Sequence, residues 1–319
     1  MKVCIKSYGG LIGWGVHKYL SRYLIGPWFC IQQLVRMRKT KEYAEIYVRQ
    51  EVPPLFRMIE IETINRCNGN CSFCPAGRDH ETRPFMKMSE KTFEKIVSEL
   101  AKINYDGEVL LEVNNEPLLD TRLVSWAEKL KKSVPACTTA VITNGSILTV
   151  EKFKELGRVI DRIVINNYSE KYALHENIKK IYLYAKSEKR SDGTYVEIRR
   201  RYVKEVLANR AGTAPNHKKA AFPVTMPCLY PFAGMTIFPD GKVGLCSNDC
   251  LEQTDFGNVQ HQGLTEIWNG RKFRNARKQI AKGRKNYAFC SECDVIGLGT
   301  REQIAKKEKF VKKEKYYGR

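Results

Sequence analysis

Acidic residues are scarce in this sequence. Asp and Glu number 35 against 55 Lys and Arg, a formal net charge of +20 over 319 residues. Such an excess attracts anions, so a phosphorylated small molecule, a nucleic acid or a membrane surface is a candidate partner. A Lys-rich surface with no such partner explains the excess equally well. Long apolar runs are missing too. Leu11, Trp14, Val16, Tyr19, Leu20, Tyr23 and Leu24 recur at roughly helical spacing, but His17, Lys18 and Arg22 interrupt them. That excludes a membrane-spanning helix, which needs about 20 apolar residues. Residues 1–50 can cap a core or lie on a membrane surface, and capping is preferred. Residues 1–10 also lack the apolar core and small-residue cleavage site of a secretory leader. A cytoplasmic location with reduced cysteines is therefore expected.

Cysteine is plentiful. The eleven residues fall into groups at 67/71/74, 228/246/250 and 290/293, with Cys4, Cys30 and Cys137 apart. Clustered spacing in a reducing compartment reads as metal binding rather than as a disulfide framework. The first group offers three thiols in Cys67-Asn68-Gly69-Asn70-Cys71-Ser72-Phe73-Cys74-Pro75, and no His follows at finger spacing. A tetrahedral zinc site wants four ligands. A four-iron, four-sulfur (4Fe-4S) cluster on three thiolates keeps one iron open for an exogenous ligand, which suits a reactive centre. Gly69 and the flanking Asn residues allow the loop to curl.

Pro53-Pro54 closes an N-terminal helical extension, residues 1–54. From Leu55 strand and helix patterns alternate, the mark of a parallel α/β sheet. Strands are expected at Met58–Ile64, Val109–Val113, Thr139–Thr143, Arg162–Ile165 and Tyr195–Arg200. Ser89 is the expected cap of a helix running to Ile103. Each strand ends in polar residues: the Cys loop, Asn114-Asn115-Glu116, Thr143-Asn144-Gly145, Asn166-Asn167-Tyr168. In a (β/α) barrel these ends share one mouth, where an active site sits. From Phe222 the composition shifts. Gly234–Leu245 reads as a hairpin around Asp240-Gly241, and a helix follows from Leu264. Cys228, Cys246, Cys290 and Cys293 make four thiolates, enough for a cluster or a zinc site.

The Cys67–Cys74 run resembles the CxxxCxxC signature of the radical S-adenosylmethionine (SAM) enzymes. The resemblance implies a partial (β/α)6 TIM-like barrel over residues 55–220, with the 4Fe-4S cluster held by Cys67, Cys71 and Cys74 and SAM on its open iron. Glu116-Pro117-Leu118-Leu119 matches the tail of the motif that meets the SAM amino group, with Asn114 and Asn115 in place of its glycines. Phe73, Asn144 and Asn166 match positions around the adenine, ribose and carboxylate. Residues 221–300 resemble the "twitch" module, a shortened SPASM domain built on a β-hairpin plus helix. It implies one auxiliary 4Fe-4S cluster on Cys228, Cys246, Cys290 and Cys293. The further CxxxxxCxxxC run of a full SPASM domain is absent after Cys293.

Asn209-Arg210-Ala211-Gly212 and the Cys246-x-x-Asp249 step resemble the dehydrogenases of 2-deoxystreptamine antibiotic biosynthesis, the 2-deoxy-scyllo-inosamine type. In those, an arginine matching Arg210 faces the substrate. The expected reaction is oxidation of a secondary alcohol on a sugar- or cyclitol-like small molecule, with the auxiliary cluster as electron acceptor. A flavodoxin- or ferredoxin-type protein is the expected electron donor. Three rivals stand beside it. One is an epimerase with Cys250 as hydrogen donor, and another is a peptide maturase, for which no recognition domain is apparent. The third is a nucleic-acid-binding zinc protein, suggested by the charge and by the basic tail 301–319; that tail has eight basic and three acidic residues and forms no known reader.

Overall fold

The computed structural model describes residues 2–7, 26–187, 194–217 and 226–295, with Lys2, Ser7 and 26–37 described as backbone only. The apolar stretch at 11–24 and the basic tail lie outside those residues. Strand β1 is Lys2–Ser7 and helix α1 is Gly26–Arg49. The alternating region follows as β2 (Met58–Ile61), α2 (Glu90–Lys102), β3 (Glu108–Leu110), α3 (Leu123–Ser133), β4 (Thr138–Thr143), α4 (Val150–Val159), β5 (Arg162–Tyr168), α5 (Glu176–Ser187) and β6 (Tyr195–Arg201). Then come α6 (Tyr230–Ala233), β7 (Gly234–Ile237), β8 (Val243–Gly244), α7 (Leu264–Asn269) and α8 (Arg271–Ala281).

All eight strands form one sheet in the order β1-β6-β5-β4-β3-β2-β7-β8, with every pair parallel except β7–β8. Helices cover its outer face. Phe93, Ile96 and Leu100 of α2 are fully buried, and Phe93 stacks on Trp126 of α3 at 4.0 Å between ring centroids. Ser89 caps α2 by accepting the Thr92 N–H at 3.1 Å, and Thr149 caps α4 by accepting that of Lys152. Among the described residues no helix is long and apolar enough to cross a membrane.

Two elements depart from the expected plan. The N-terminal extension is not helical throughout: β1 pairs in parallel with β6, Lys2 opposite Tyr195 and Ser7 opposite Arg200. Val3 and Ile5 pack against the core, and Lys6 reaches Glu197 at 2.7 Å. The sixth parallel strand on this side of β2 thus comes from the start of the chain and covers an otherwise open edge. At the other edge, the first strand of the expected hairpin adds to β2, Met58 opposite Gly234. The second module is therefore continuous with the barrel sheet. At the mouth, Gly145 (φ +71°) has no room for a Cβ, which would lie 2.7 Å from Ile165 and 2.8 Å from Ile178.

Candidate active site

Because β2 to β5 are parallel, the Cys loop, the Asn114–Glu116 turn, Asn144 and Asn166 all lie at one end of the sheet. The Cys loop curls on itself. The Cys74 N–H donates to Cys71 O at 3.0 Å, the Gly77 N–H to Cys74 O at 3.2 Å, and the Arg78 N–H to Gly69 O at 2.8 Å. Gly69 sits against the thiols: a Cβ there would be 3.4 Å from Cys67 Sγ and 4.0 Å from Cys71 Sγ. Its own N–H donates to Cys67 Sγ at 3.3 Å. Burial and the neighbouring thiols push Cys67 up to about 11 and Cys71 up to about 12. Protons so firmly held come off when thiolates ligate metal, which compensates their charge.

Glu116 is buried, and both its oxygens are engaged. Oε1 accepts from Thr143 Oγ1 at 2.5 Å and from the Leu118 N–H at 3.2 Å, and Oε2 from the Asn144 N–H at 2.8 Å. Asn144 is held so that its amide donates to Asn68 Oδ1 at 2.9 Å and points at Cys67 Sγ from 3.9 Å. Phe73 is buried against Tyr168 at the end of β5, 5.5 Å between centroids. Asn115 Oδ1 accepts the Val113 N–H at 3.0 Å. Asn115 Nδ2 and Asn166 Oδ1 are buried with no partner among the described residues. Such orphans suit a polar ligand at the strand ends.

Asn114 faces elsewhere. Its Oδ1 accepts from Arg210 Nη1 at 2.7 Å and from Cys250 Sγ at 3.2 Å, while its Nδ2 donates to Ser247 O at 3.1 Å. Arg210 Nη1 also donates to Cys250 Sγ at 3.0 Å. Arg210, Cys250 and Asn114 thus form one triangle between the Cys loop and the second module. Arg210 and Ala211 have left-handed backbones, φ 48° and 55°. They are held there by Asn209, whose N–H donates to Asp294 Oδ1 at 2.7 Å and whose Nδ2 donates to Glu292 O at 2.5 Å. Those two residues flank Cys293. At the end of β6, Arg199 pairs with Glu197 and Arg201 with Glu205.

Cys228, Cys246, Cys290 and Cys293 are all buried. Burial raises the Cys246 thiol well above its usual range, and the charges of Cys228, Cys290 and Cys293 add to the rise, so the four share one locality. Asp249 accepts from the Thr254 N–H at 2.8 Å and from Thr254 Oγ1 at 2.6 Å, which fixes the loop after Cys246. Arg284, buried, donates to Met226 O at 3.1 Å and to Cys293 O at 3.0 Å. Its Nη2 is buried without a partner among the described residues, and its charge partly opposes the rise that burial and the neighbouring Cys228 and Cys293 impose on the Cys290 thiol. A spare buried cation beside four thiols fits a ligand set that carries negative charge. Among the described residues no three His, Cys, Asp or Glu side chains close on a single-ion site. An iron–sulfur cube, with one thiolate on each of its four irons, holds its ligands further apart than one tetrahedral zinc ion does.

Several polar groups here carried no motif. Arg83 joins Glu62 at 2.9 Å, Glu81 at 2.8 Å and Glu252 at 2.9 Å, which ties the Cys-loop segment to the hairpin module. Glu60 and Glu112 point to the same interior, and the alternation of Glu60 and Glu62 with Ile59 and Ile61 is the signal that could have found the first pair.

Residues 61–189 match the radical SAM superfamily, and residues 228–294 match the SPASM iron–sulfur cluster-binding domain, together more than half of the chain. A curated relative, the S-adenosyl-L-methionine-dependent 2-deoxy-scyllo-inosamine dehydrogenase of Niallia circulans, is 24% identical over 253 residues, covering 78% of this chain and 97% of the relative. The crystal structure of BtrN in complex with AdoMet and 2-DOIA superposes with a TM-score of 0.67 at 24% identity, over 78% of this chain and 97% of that one. Streptococcus suis SuiB bound to precursor peptide SuiA gives a TM-score of 0.52 at 13% identity, over 88% and 78%. The structural likenesses establish the fold. The first domain match implies SAM and a 4Fe-4S cluster, and the second implies an additional iron–sulfur cluster. Residues 61–189 therefore carry a radical SAM domain, and residues 228–294 a SPASM-type iron–sulfur domain after it.

Proposed function

We propose that the protein is a SAM-dependent dehydrogenase that oxidises a secondary alcohol of an aminocyclitol-like small molecule to a ketone. Cys67, Cys71 and Cys74 would hold the SAM cluster in the barrel, residues 55–220, and Cys228, Cys246, Cys290 and Cys293 the auxiliary cluster in the module, residues 221–300. When loaded, these groups supply a 5′-deoxyadenosyl radical to take a hydrogen atom and an acceptor for the remaining electron. Phe73, Asn115, Asn144 and Asn166 would line SAM. Glu116 would act behind them, since its oxygens are already engaged by the chain.

The observation that carries this reading is the position of Arg210. The Cys74 thiol acts on its charge from one side, while the adjacent Asn209 is bonded to the residues flanking Cys293 on the other. A substrate hydroxyl beside Arg210 would therefore lie between the two thiol groups, the first of which would supply a hydrogen-atom acceptor and the second an electron acceptor. The extent of the relative supports the same reading, because 97% of that dehydrogenase is matched. Cys250 is wholly buried and shares its sulfur with Asn114 and Arg210, so we favour oxidation over hydrogen return from that thiol. A flavodoxin- or ferredoxin-type donor would supply the priming electron, and the clustered free thiols suit the reducing cytoplasm.

The test is anaerobic reconstitution, iron counting, and incubation with SAM, reductant and a panel of cyclitols and aminocyclitols that includes 2-deoxy-scyllo-inosamine. A ketone in step with 5′-deoxyadenosine supports the proposal. A product that keeps its oxidation level and carries solvent deuterium makes the enzyme an epimerase instead.

A further inference from the structure

Past β3 the chain keeps a strand-like alternation. Val109 and Leu111 are fully buried in the helix-side core, and Val113 is buried on the same side. Glu112 and Asn114 therefore face the other way, into the mouth, where Asn114 meets Arg210 and Cys250. Four carboxylates surround this interior, and three are spoken for. Glu60 accepts from Thr236 Oγ1 at 2.8 Å. Glu62 takes Arg83 at 2.9 Å and the Asn114 N–H at 3.2 Å. Glu116 is filled by Thr143, Leu118 and Asn144. Glu112 accepts no hydrogen bond from any described residue, and it is half-buried where the other three are buried. The cation acting on it is Arg210.

We propose that Glu112 is the proton acceptor of the oxidation, taking the hydroxyl proton of the alcohol bound beside Arg210. The inference rests on the dehydrogenase reading. Ketone formation must release one proton from oxygen, and the proton needs a base within hydrogen-bond reach. Arg210 is no candidate, because Cys250 and Glu112 hold its charge on the guanidinium. The atoms and electrons close. The hydrogen on the carbinol carbon ends in 5′-deoxyadenosine, the hydroxyl proton ends on Glu112, and the remaining electron ends on the auxiliary cluster. One C–H and one O–H bond are lost, and the second bond of the ketone forms. Burial and the charges of Glu60, Glu116 and Glu62 lift the Glu112 carboxyl out of the ordinary carboxylate range, while Arg210 opposes the lift. Cys250 faces Arg210 rather than Glu112. An upward shift is what a proton acceptor working near neutral pH requires.

The experiment compares reconstituted wild type, Glu112→Gln and Glu112→Asp on the cyclitol panel, with three readouts: ketone formation against pH, equilibrium binding of the substrate without reductant, and electron paramagnetic resonance of freeze-quenched samples. Glu112→Gln should bind substrate within about threefold of wild type yet form ketone at least about 100-fold more slowly. Its samples should accumulate an organic substrate radical that cannot lose its proton. In wild type the rate should fall as pH drops through a pKa above the ordinary carboxylate range. Glu112→Asp should keep that limb, displaced. If Glu112→Gln loads less iron, the displaced limb of Glu112→Asp decides. Ketone from Glu112→Gln at the wild-type rate with the acid limb intact overturns the role of Glu112 and leaves the dehydrogenase reading standing. No ketone from wild type on any substrate removes the reading itself.

Discussion

Asn144 aims its side-chain amide at the sulfur of Cys67 from 3.9 Å, and it is held in that pose by the Glu116 carboxylate on its backbone N–H. The glutamate that resembles a direct cofactor ligand in the sequence is thus a clamp between two strand ends. It joins the turn after β3 to the end of β4, where the Thr143 hydroxyl donates to it as well. Glu116→Gln replaces one acceptor oxygen with a donor and sets it against an N–H or a hydroxyl. The loss of one such bond, on the order of 1–2 kcal/mol, should appear as roughly tenfold weaker SAM binding. Iron content should stay unchanged. Equilibrium dialysis of SAM against the reconstituted protein checks this, and unchanged affinity would show that Asn144 needs no clamp.

Arg210→Lys tests the triangle. Lysine keeps the charge but not the rigid planar guanidinium whose Nη1 reaches both Asn114 at 2.7 Å and Cys250 at 3.0 Å. We expect 5′-deoxyadenosine to form without matching ketone, because hydrogen abstraction is then poorly aligned. The ratio of the two products, measured by mass spectrometry, is the readout. A ratio near one would demote Arg210 to a structural role.

The cysteine spacing made both thiol groups legible, since ligand spacing is a local property of the chain. Strand ends and the Ser89 cap were legible for the same reason: alternation and capping are written in neighbouring residues. Arg210 entered only through resemblance, because a left-handed turn by itself says nothing about what its side chain meets 96 residues away at Asn114. The sixth strand was missed because residues 2–7 are short, and they become a strand only when β6 offers an edge. Asn114 looked like a cofactor contact from its place in the motif. Its side chain meets Arg210, Cys250 and, on the hairpin module, the Ser247 carbonyl, none of which is near it in sequence. Arg83 and Arg284 had no sequence signal, because an arginine at a surface and one buried between modules are the same letter.

Arg284 should set the potential of the auxiliary cluster. Its guanidinium is buried beside Cys290 and Cys293 with one donor group unspent. Reduction adds negative charge to the thiolate-held cluster, so a nearby cation favours the reduced form. Arg284→Gln should move the potential downward and slow ketone formation, whereas Arg284→Lys should shift it less. A redox titration followed by electron paramagnetic resonance gives the sign directly, and an unchanged potential in the Gln variant would refute the assignment.

Glu60 gives a prediction for stability against pH. Burial raises its carboxyl from 4.5 to about 7, partly opposed by its hydrogen bond from Thr236. The folded state therefore holds the proton more tightly than the unfolded chain. The resulting stability is fully present below pH 4.5 and is lost as pH rises through about 7, at most about 3 kcal/mol for a shift of this size. Glu60→Gln keeps an acceptor for the Thr236 hydroxyl and carries no charge at any pH. It should match wild type in thermal melts near pH 5 and melt at a higher temperature near pH 8. Equal melting temperatures at both pH values would mean that water or a neighbouring cation compensates the Glu60 charge, and the raised pKa would then be wrong.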